Sequence, residues 1–278
     1  MLERTSSGRG GIERLSARRR RRSRRSLILL GVFVLVLAGA GVWLSWQGQV
    51  RVQTITLANQ DPRLTPLVEA ELAGTYFGVV PRNSIFFVPK RAIRAAILSV
   101  RLDIAAVSVV RESLTSISVV LHPRVPIAKW CGLSPTPDVE EYCYFFDAGG
   151  VLYAAADQGG VPLNSFRLYA PLAGRTEEPL GATIEHAYDL PAVFEFARQV
   201  GVLGTVVTSV IFREDEVDVL LVSGTRLTYL LGDEQSAFSN LTSAKSNLNL
   251  ADGSIEYIDL RFSGKVYLKR KELPVEEE

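Results

Sequence analysis

From Leu27 to Trp46 the chain runs twenty residues without a charge, and seven of the eight positions from Arg18 to Arg25, shortly before it, are Arg. At a rise of 1.5 Å per residue, a helix over this run measures about 30 Å, the thickness of a bilayer's hydrocarbon core. In lipid, backbone N–H and C=O groups must be paired within the segment, which a helix achieves. Trp43 and Trp46 stand at the far end, where aromatic rings favour the membrane–water interface. Arginines flank only the near end. The positive-inside rule therefore places residues 1–26 in the cytoplasm and everything after Gln47 outside.

Two rivals to an uncleaved anchor are written in the same stretch. Ala38-Gly39-Ala40 has the small residues of a signal-peptidase site. The apolar run, however, continues through Gly41-Val42-Trp43-Leu44 and is long enough to span. Ser23-Arg24-Arg25-Ser26-Leu27-Ile28 resembles a twin-arginine export signal, a weak match in so Arg-rich a segment. Gly39 and Gly41 are small enough to let a partner helix approach but lack a full small-xxx-small frame. Residues 1–26 hold +8 of formal charge, and the other 252 residues therefore carry −7 against a total of +1. The tail reads as disordered, a topology determinant that also touches anionic lipid. The mildly acidic body argues against nucleic-acid binding.

Residues 50–124 read as one small domain. Val50, Val52, Ile55 and Leu57 open a strand. Asp61 stands as a cap before a helix whose first position is Pro62, with Leu64, Leu67, Val68 and Leu72 on one face and Gly74 as its stop. An irregular stretch follows, Gly78 to Pro81. A second helix fits Pro89 to Ser99, striped by Ile93, Ile97 and Leu98, with Lys90, Arg91 and Arg94 facing away. Ile104 to Arg111 and Thr115 to Leu121 read as strands, the latter alternating Ile117, Val119 and Leu121 with Ser118 and Val120. The order is β-α-α-β-β, with both helices on one face of a three-stranded sheet.

Residues 125–272 are dominated by strand-like runs: Ile127–Cys131, Tyr142–Phe146, Gly150–Ala154, Val206–Arg213, Glu216–Val222, Arg226–Leu231 and Ile255–Lys271. Gly149-Gly150, Gly159-Gly160 and Ser223-Gly224-Thr225 supply turns. Helices fit Leu190 to Val200, with Val193, Phe194 and Ala197 on one side, and Asp233 to Leu248, with Asp233 as cap and Phe238, Leu241 and Leu248 as contacts. The fold class is α+β: a mostly antiparallel sheet with packed helices. Residues 273–278 form an acidic tail.

Catalytic signals are absent from the string. His122 and His186 are isolated, and no G-x-S-x-G, H-E-x-x-H, P-loop or G-x-G-x-x-G occurs. No cofactor is indicated. Glu214, Asp215, Glu216 and Asp218 cluster at a hairpin tip, where charges ordinarily solvate; the same holds for Glu140-Glu141, Glu177-Glu178 and Glu276 to Glu278. Paired carboxylates serve glycoside hydrolysis only where an apolar wall raises one pKa, and nothing here supplies that wall. Cys131 and Cys143 lie outside the cytoplasm in this topology, where a disulfide persists. Each ends a strand-like run, and a bridge would staple the ends of the intervening loop. Two unpaired thiols in an envelope that is not oxidising is the alternative.

The whole pattern resembles the FtsQ/DivIB family of bacterial cell-division proteins. Ser84-Ile85-Phe86-Phe87-Val88 precedes the second helix, and Val107 to Arg111 resembles the family's strand after it. Arg124-Val125-Pro126-Ile127-Ala128-Lys129-Trp130 resembles its R-x-P-x-A-x-W junction. Phe146-Asp147-Ala148-Gly149-Gly150-Val151-Leu152-Tyr153 resembles its D-x-x-G hairpin, and Asp259-Leu260-Arg261-Phe262 its D-L-R-Y start of the last strand. Pro123 stands where the family usually has Glu, and Ala58-Asn59 where it usually has Gly. The insert from Cys131 to Cys143 is also unusual.

The resemblance implies a cytoplasmic tail, one membrane span, a POTRA domain and a following β domain. It implies a non-enzymatic scaffold at the division septum that recruits or regulates septal wall synthases. Its partners would be coiled-coil membrane proteins of the FtsB and FtsL type. By motif match the partner-binding stretch maps to Phe262, Ser263, Gly264 and Tyr267, with Val266 on the same closing run. The alternatives are a membrane-tethered wall hydrolase and another POTRA-bearing envelope assembly factor. The latter class usually ends in a transmembrane β-barrel, which these helix- and loop-containing 150 residues do not fit.

Overall fold

The computed structural model describes residues 10–57, 61–136, 142–157, 160–174 and 178–271, with side chains from Arg25 onward. The apolar run lies in one helix, α1 (Gly10–Ser45). Its Arg25–Ser45 part is long and apolar enough to cross a membrane, with a mean hydropathy of 2.7. The helix reaches back through the arginine run to Gly10, where a disordered tail is expected from composition. Arginine is a good helix former, and elongating an existing helix costs far less than starting one. Residues 1–9 and 273–278, the outer parts of the two expected tails, lie outside the described residues, as do Ala58-Asn59, Gly159, Glu140-Glu141 and Glu177.

The chain divides into two compact units, and α1 belongs to the first. The first contains β1 (Thr54–Leu57), α2 (Thr65–Leu72), β2 (Thr75–Tyr76), β3 (Val80–Pro81), α3 (Lys90–Val100) and most of β4 (Ile104–Arg111) and β5 (Ser116–Pro123). Its sheet runs β1-β5-β4, with β1 parallel to β5. Of the expected helical stripes, Leu64 just before α2, Val68 and Leu72 on it, and Ile93 and Ile97 on α3 are buried, while Leu67 and Leu98 are half-buried. Ile117 and Val119 on β5 are fully buried at period two. The first helix starts three residues later than its Pro62 suggests. Asp61 Oδ1 accepts a bond from Arg63 N at 3.0 Å, which closes a turn before the helix, and Pro66 then occupies its first turn. The stretch read as irregular is a two-stranded hairpin, β2–β3.

The second unit holds a nine-stranded sheet. Its strands are β6 (Ala128–Trp130), β7 (Tyr144–Phe146), β8 (Leu152–Ala155), β9 (Arg167–Tyr169), β10 (Val207–Arg213), β11 (Glu216–Leu221), β12 (Arg226–Leu230), β13 (Ile255–Asp259) and β14 (Tyr267–Arg270). They run in the order β14-β13-β12-β11-β10-β9-β6-β7-β8. Hairpin neighbours pair antiparallel, while β12–β13, β10–β9 and β9–β6 pair parallel, so the sheet is mixed. Helices α4 (Leu190–Val202) and α5 (Glu234–Ala244) pack against it. Phe196 of α4 packs against Tyr229 of β12 with centroids 4.4 Å apart and the rings tilted at 42°, and Phe194 meets Phe166 edge-on at 5.1 Å. Burying side chains of this size is worth about 2–3 kcal/mol each. Alternation sends Val210 and Phe212 into that core, while Ile211 joins Tyr169 and Cys131 in a separate, smaller cluster.

Three sequence expectations change here. The run Ile255–Lys271 is two strands, because Ser263-Gly264 makes a turn with Gly264 at φ +69°. Strand β9 was not expected; it has only three residues and borrows its identity from parallel neighbours. Asp233 makes no side-chain cap; Glu234 Oε1 instead accepts from Gly232 N at 3.0 Å.

Candidate functional site

Of the two ends of the large sheet, one is covered. Beside β8, Leu152 N donates to Ala182 O at 2.9 Å and Gly181 N to Leu152 O at 2.7 Å, so the 181–184 segment lies along that edge. Among the described residues no strand lies beyond β14. Its four residues are all exposed. An uncovered edge presents unpaired N–H and C=O groups to any chain that approaches.

The turn leading into β14 carries the motif residues. Phe262 and Tyr267 are 49% and 51% exposed and meet edge-on, centroids 5.3 Å apart at 80°. Ser263 and Gly264 form the turn itself rather than a strand, and Val266 points back to the core. Leu268 adds further exposed apolar surface. Five sequence-singled residues therefore share one hairpin, but only Tyr267 lies on the strand. The basic end is partly spoken for. Lys269 pairs with Glu256 at 2.8 Å, and Lys271 Nζ donates to Ser223 O at 3.3 Å.

What holds this hairpin is Arg261. Its Nε and Nη2 donate to Asp259 at 2.9 and 2.6 Å, a two-pronged clamp, and its Nη1 pairs with Glu216 at the start of β11. Hydrogen bonds from Arg261 hold the Asp259 carboxyl below the usual carboxylate range. Both carboxylates raise Arg261 further, so it stays charged. Asn240 Nδ2 of α5 donates to Phe262 O at 3.2 Å. Neither Glu216 nor Asn240 was singled out from sequence as part of this surface, since each lies more than twenty residues from its partner and leaves no local signal.

The junction and hairpin motifs also meet. Arg124, its side chain 18% exposed, pairs with Asp147 and donates from Nε to Leu102 O at 2.9 Å. Asp147 Oδ1 accepts from Gly149 N and Val151 N at 2.9 and 3.1 Å, shaping the turn. Gly150 there has φ +73°, and a Cβ would fall 2.7 Å from that of Ala187. Trp130 Nε1 donates to the buried Ala170 O at 2.8 Å. Cys131 and Cys143 are bonded as a disulfide beside β6 and β7.

Of the carboxylate cluster, Glu214 and Asp215 are exposed as expected, but Asp218 is buried, paired with Arg213 at 2.7 Å and accepting from Thr228 at 2.6 Å. Its neutralising partners are what permit burial. His186 lies 3.7 Å from Asp189, and His122 is the penultimate residue of β5; among the described residues no three His, Cys, Asp or Glu side chains converge. A cleft beside α5, lined by Leu203, Leu241, Lys245, Leu248, Asn249 and Leu250, holds one charge and no carboxylate. Compared with known proteins, the chain matches no family model and no curated sequence.

Proposed function

We propose that the chain is a membrane-anchored scaffold of the bacterial division machinery, built on the FtsQ/DivIB plan, with a POTRA domain in its first unit and a partner-binding β domain in its second. The observation that carries this reading is the open β14 edge with Phe262, Tyr267 and Leu268 exposed beside it. A division partner of the FtsB or FtsL type adds a segment along β14, with main-chain bonds giving affinity and the aromatic pair giving register. Septal wall synthases are engaged through those partners. The chain itself does no chemistry, and its catalytic residues are none. Residues 1–26 lie in the cytoplasm, the body lies outside, and the basic segment rests on anionic lipid.

The test uses the full chain. Phe262→Glu and Tyr267→Glu each abolish co-purification with the coiled-coil partners while thermal stability stays within a few degrees. A fluorescent fusion gathers at mid-cell. A uniform envelope signal, or partner binding unchanged in both variants, removes the reading. Turnover of purified cell wall by the chain would replace it with the hydrolase.

A further inference from the structure

The β2–β3 hairpin ends in a tip of unusual composition. Tyr76 pairs with Val80, and the tip between them is Phe77-Gly78-Val79. Phe77 has φ +51° and is fully exposed; Gly78 follows at φ +74°. Left-handed backbone is expected at a glycine but is an outlier for a bulky aromatic. Here it holds a phenyl ring in solvent, where the ring gains nothing from water. Val79 beside it is half exposed.

The tip is fastened to the end of α1. Trp46 Nε1 donates to Val79 O at 2.8 Å, thirty-three residues away, and Arg51 lies over the Trp46 ring at 5.9 Å. Arg51 Nε donates to Asn83 Oδ1 at 3.1 Å, Val52 N to Asn83 O and Ile85 N to Val50 O, both at 2.8 Å. The chain leaving the apolar helix is thus laced to the hairpin. A second guanidinium, Arg82, lies over Tyr76 at 5.4 Å.

We infer that the Phe77–Val79 tip is a second membrane contact, immersed in the headgroup–acyl boundary of the leaflet from which α1 emerges. This rests on the reading that α1 spans a bilayer. Trp46, one residue past the helix, then sits at the interface, and its bond to Val79 sets the tip at that level. Phe77 is two residues away, within about 7 Å along the backbone. An exposed aromatic and an exposed valine held beside Trp46 and Arg51 are the composition that interfacial anchors use: rings in the boundary, a guanidinium within reach of phosphates. The hairpin then fixes how the first unit stands on the membrane, which a single-helix tether leaves free to swivel.

The experiment places p-benzoylphenylalanine at position 77 of the full chain, in vesicles of phosphatidylcholine and phosphatidylglycerol. Parallel chains carry it at Val36, inside the apolar helix, and at Ser99, exposed at the end of α3. After illumination, lipid adducts are read by mass. Adducts at 36 and 77, several-fold above those at 99, support the inference. An adduct at 36 with none at 77 overturns it and leaves the anchor standing. No adduct at 36 overturns the anchor and the inference with it. A protein rather than lipid adduct at 77 overturns it in favour of a protein occupant. Phe77→Asp, which keeps the turn and removes the ring, lowers the yield at a neighbouring benzoylphenylalanine at 79; an unchanged yield there counts against immersion.

Discussion

Individual side chains in this protein do their work across long stretches of sequence. Arg124 and Asp147 were legible as members of two separate strings, but not as a pair, because nothing local encodes a contact over twenty-three residues. Asp147→Ala takes the acceptor from two backbone N–H groups and leaves a guanidinium in a mostly buried place. We expect a loss of about 2–4 kcal/mol in chemical denaturation of the second unit. Gly150→Ala combines a positive φ with a 2.7 Å approach to Ala187 and should cost about 2–3 kcal/mol. Asp259 gives a pH prediction. Its folded pKa lies below its unfolded one, so its contribution is complete above the unfolded carboxylate value of about 3.9 and is lost as pH falls through the folded value. Asp259→Asn should therefore flatten the fall in stability below about pH 4, measured as unfolding midpoint against pH; an equally steep fall would deny the Arg261 clamp its role. Asp103, lowered by its bond to Arg101, and Asp252, lowered by bonds from Ser254, titrate in the same direction and keep part of the slope.

Strands and helices were legible where their apolar period was long, and not where it was short. The α3 stripe and the strand from Ile104 to Arg111 appear with the expected bounds to within a residue. The three-residue β9 has no period to read, since its Leu168 and Tyr169 bury into different clusters. The turn inside Ile255–Lys271 was readable in principle from Ser263-Gly264, a frequent turn pair, but alternating residues on both sides masked it. The disulfide was reached by topology and position, and the structure forms it. Reduction, or Cys131→Ser with Cys143→Ser, should lower stability by about 3 kcal/mol in the loop-entropy account. Amides of β14 should exchange with deuterium well before those of β11, which is paired on both sides; equal protection would mean that the edge is covered.

For the molecule as a whole, the α+β class, one apolar N-terminal helix and a large mixed sheet were within reach of pattern reading, because hydrophobic period and the uncharged run are local properties. The placing of the open edge was only half legible: chain order suggested it, whereas the 181–184 segment that covers the opposite end could not be foreseen. Full-length chain should resist alkaline extraction from membranes and retain its N-terminus by mass; a product starting near Gly41 would show cleavage instead. Strand β14 also has a place in time. It follows every other described strand in the chain, so during synthesis it is the last to be supplied, and until it docks on β13 the sheet ends elsewhere, without Tyr267 or Leu268. A chain that stops short of Tyr267 has every other described strand and both helices of the second unit, but not β14. On the proposed reading, assembly along that edge waits until β14 has been supplied and has docked on β13.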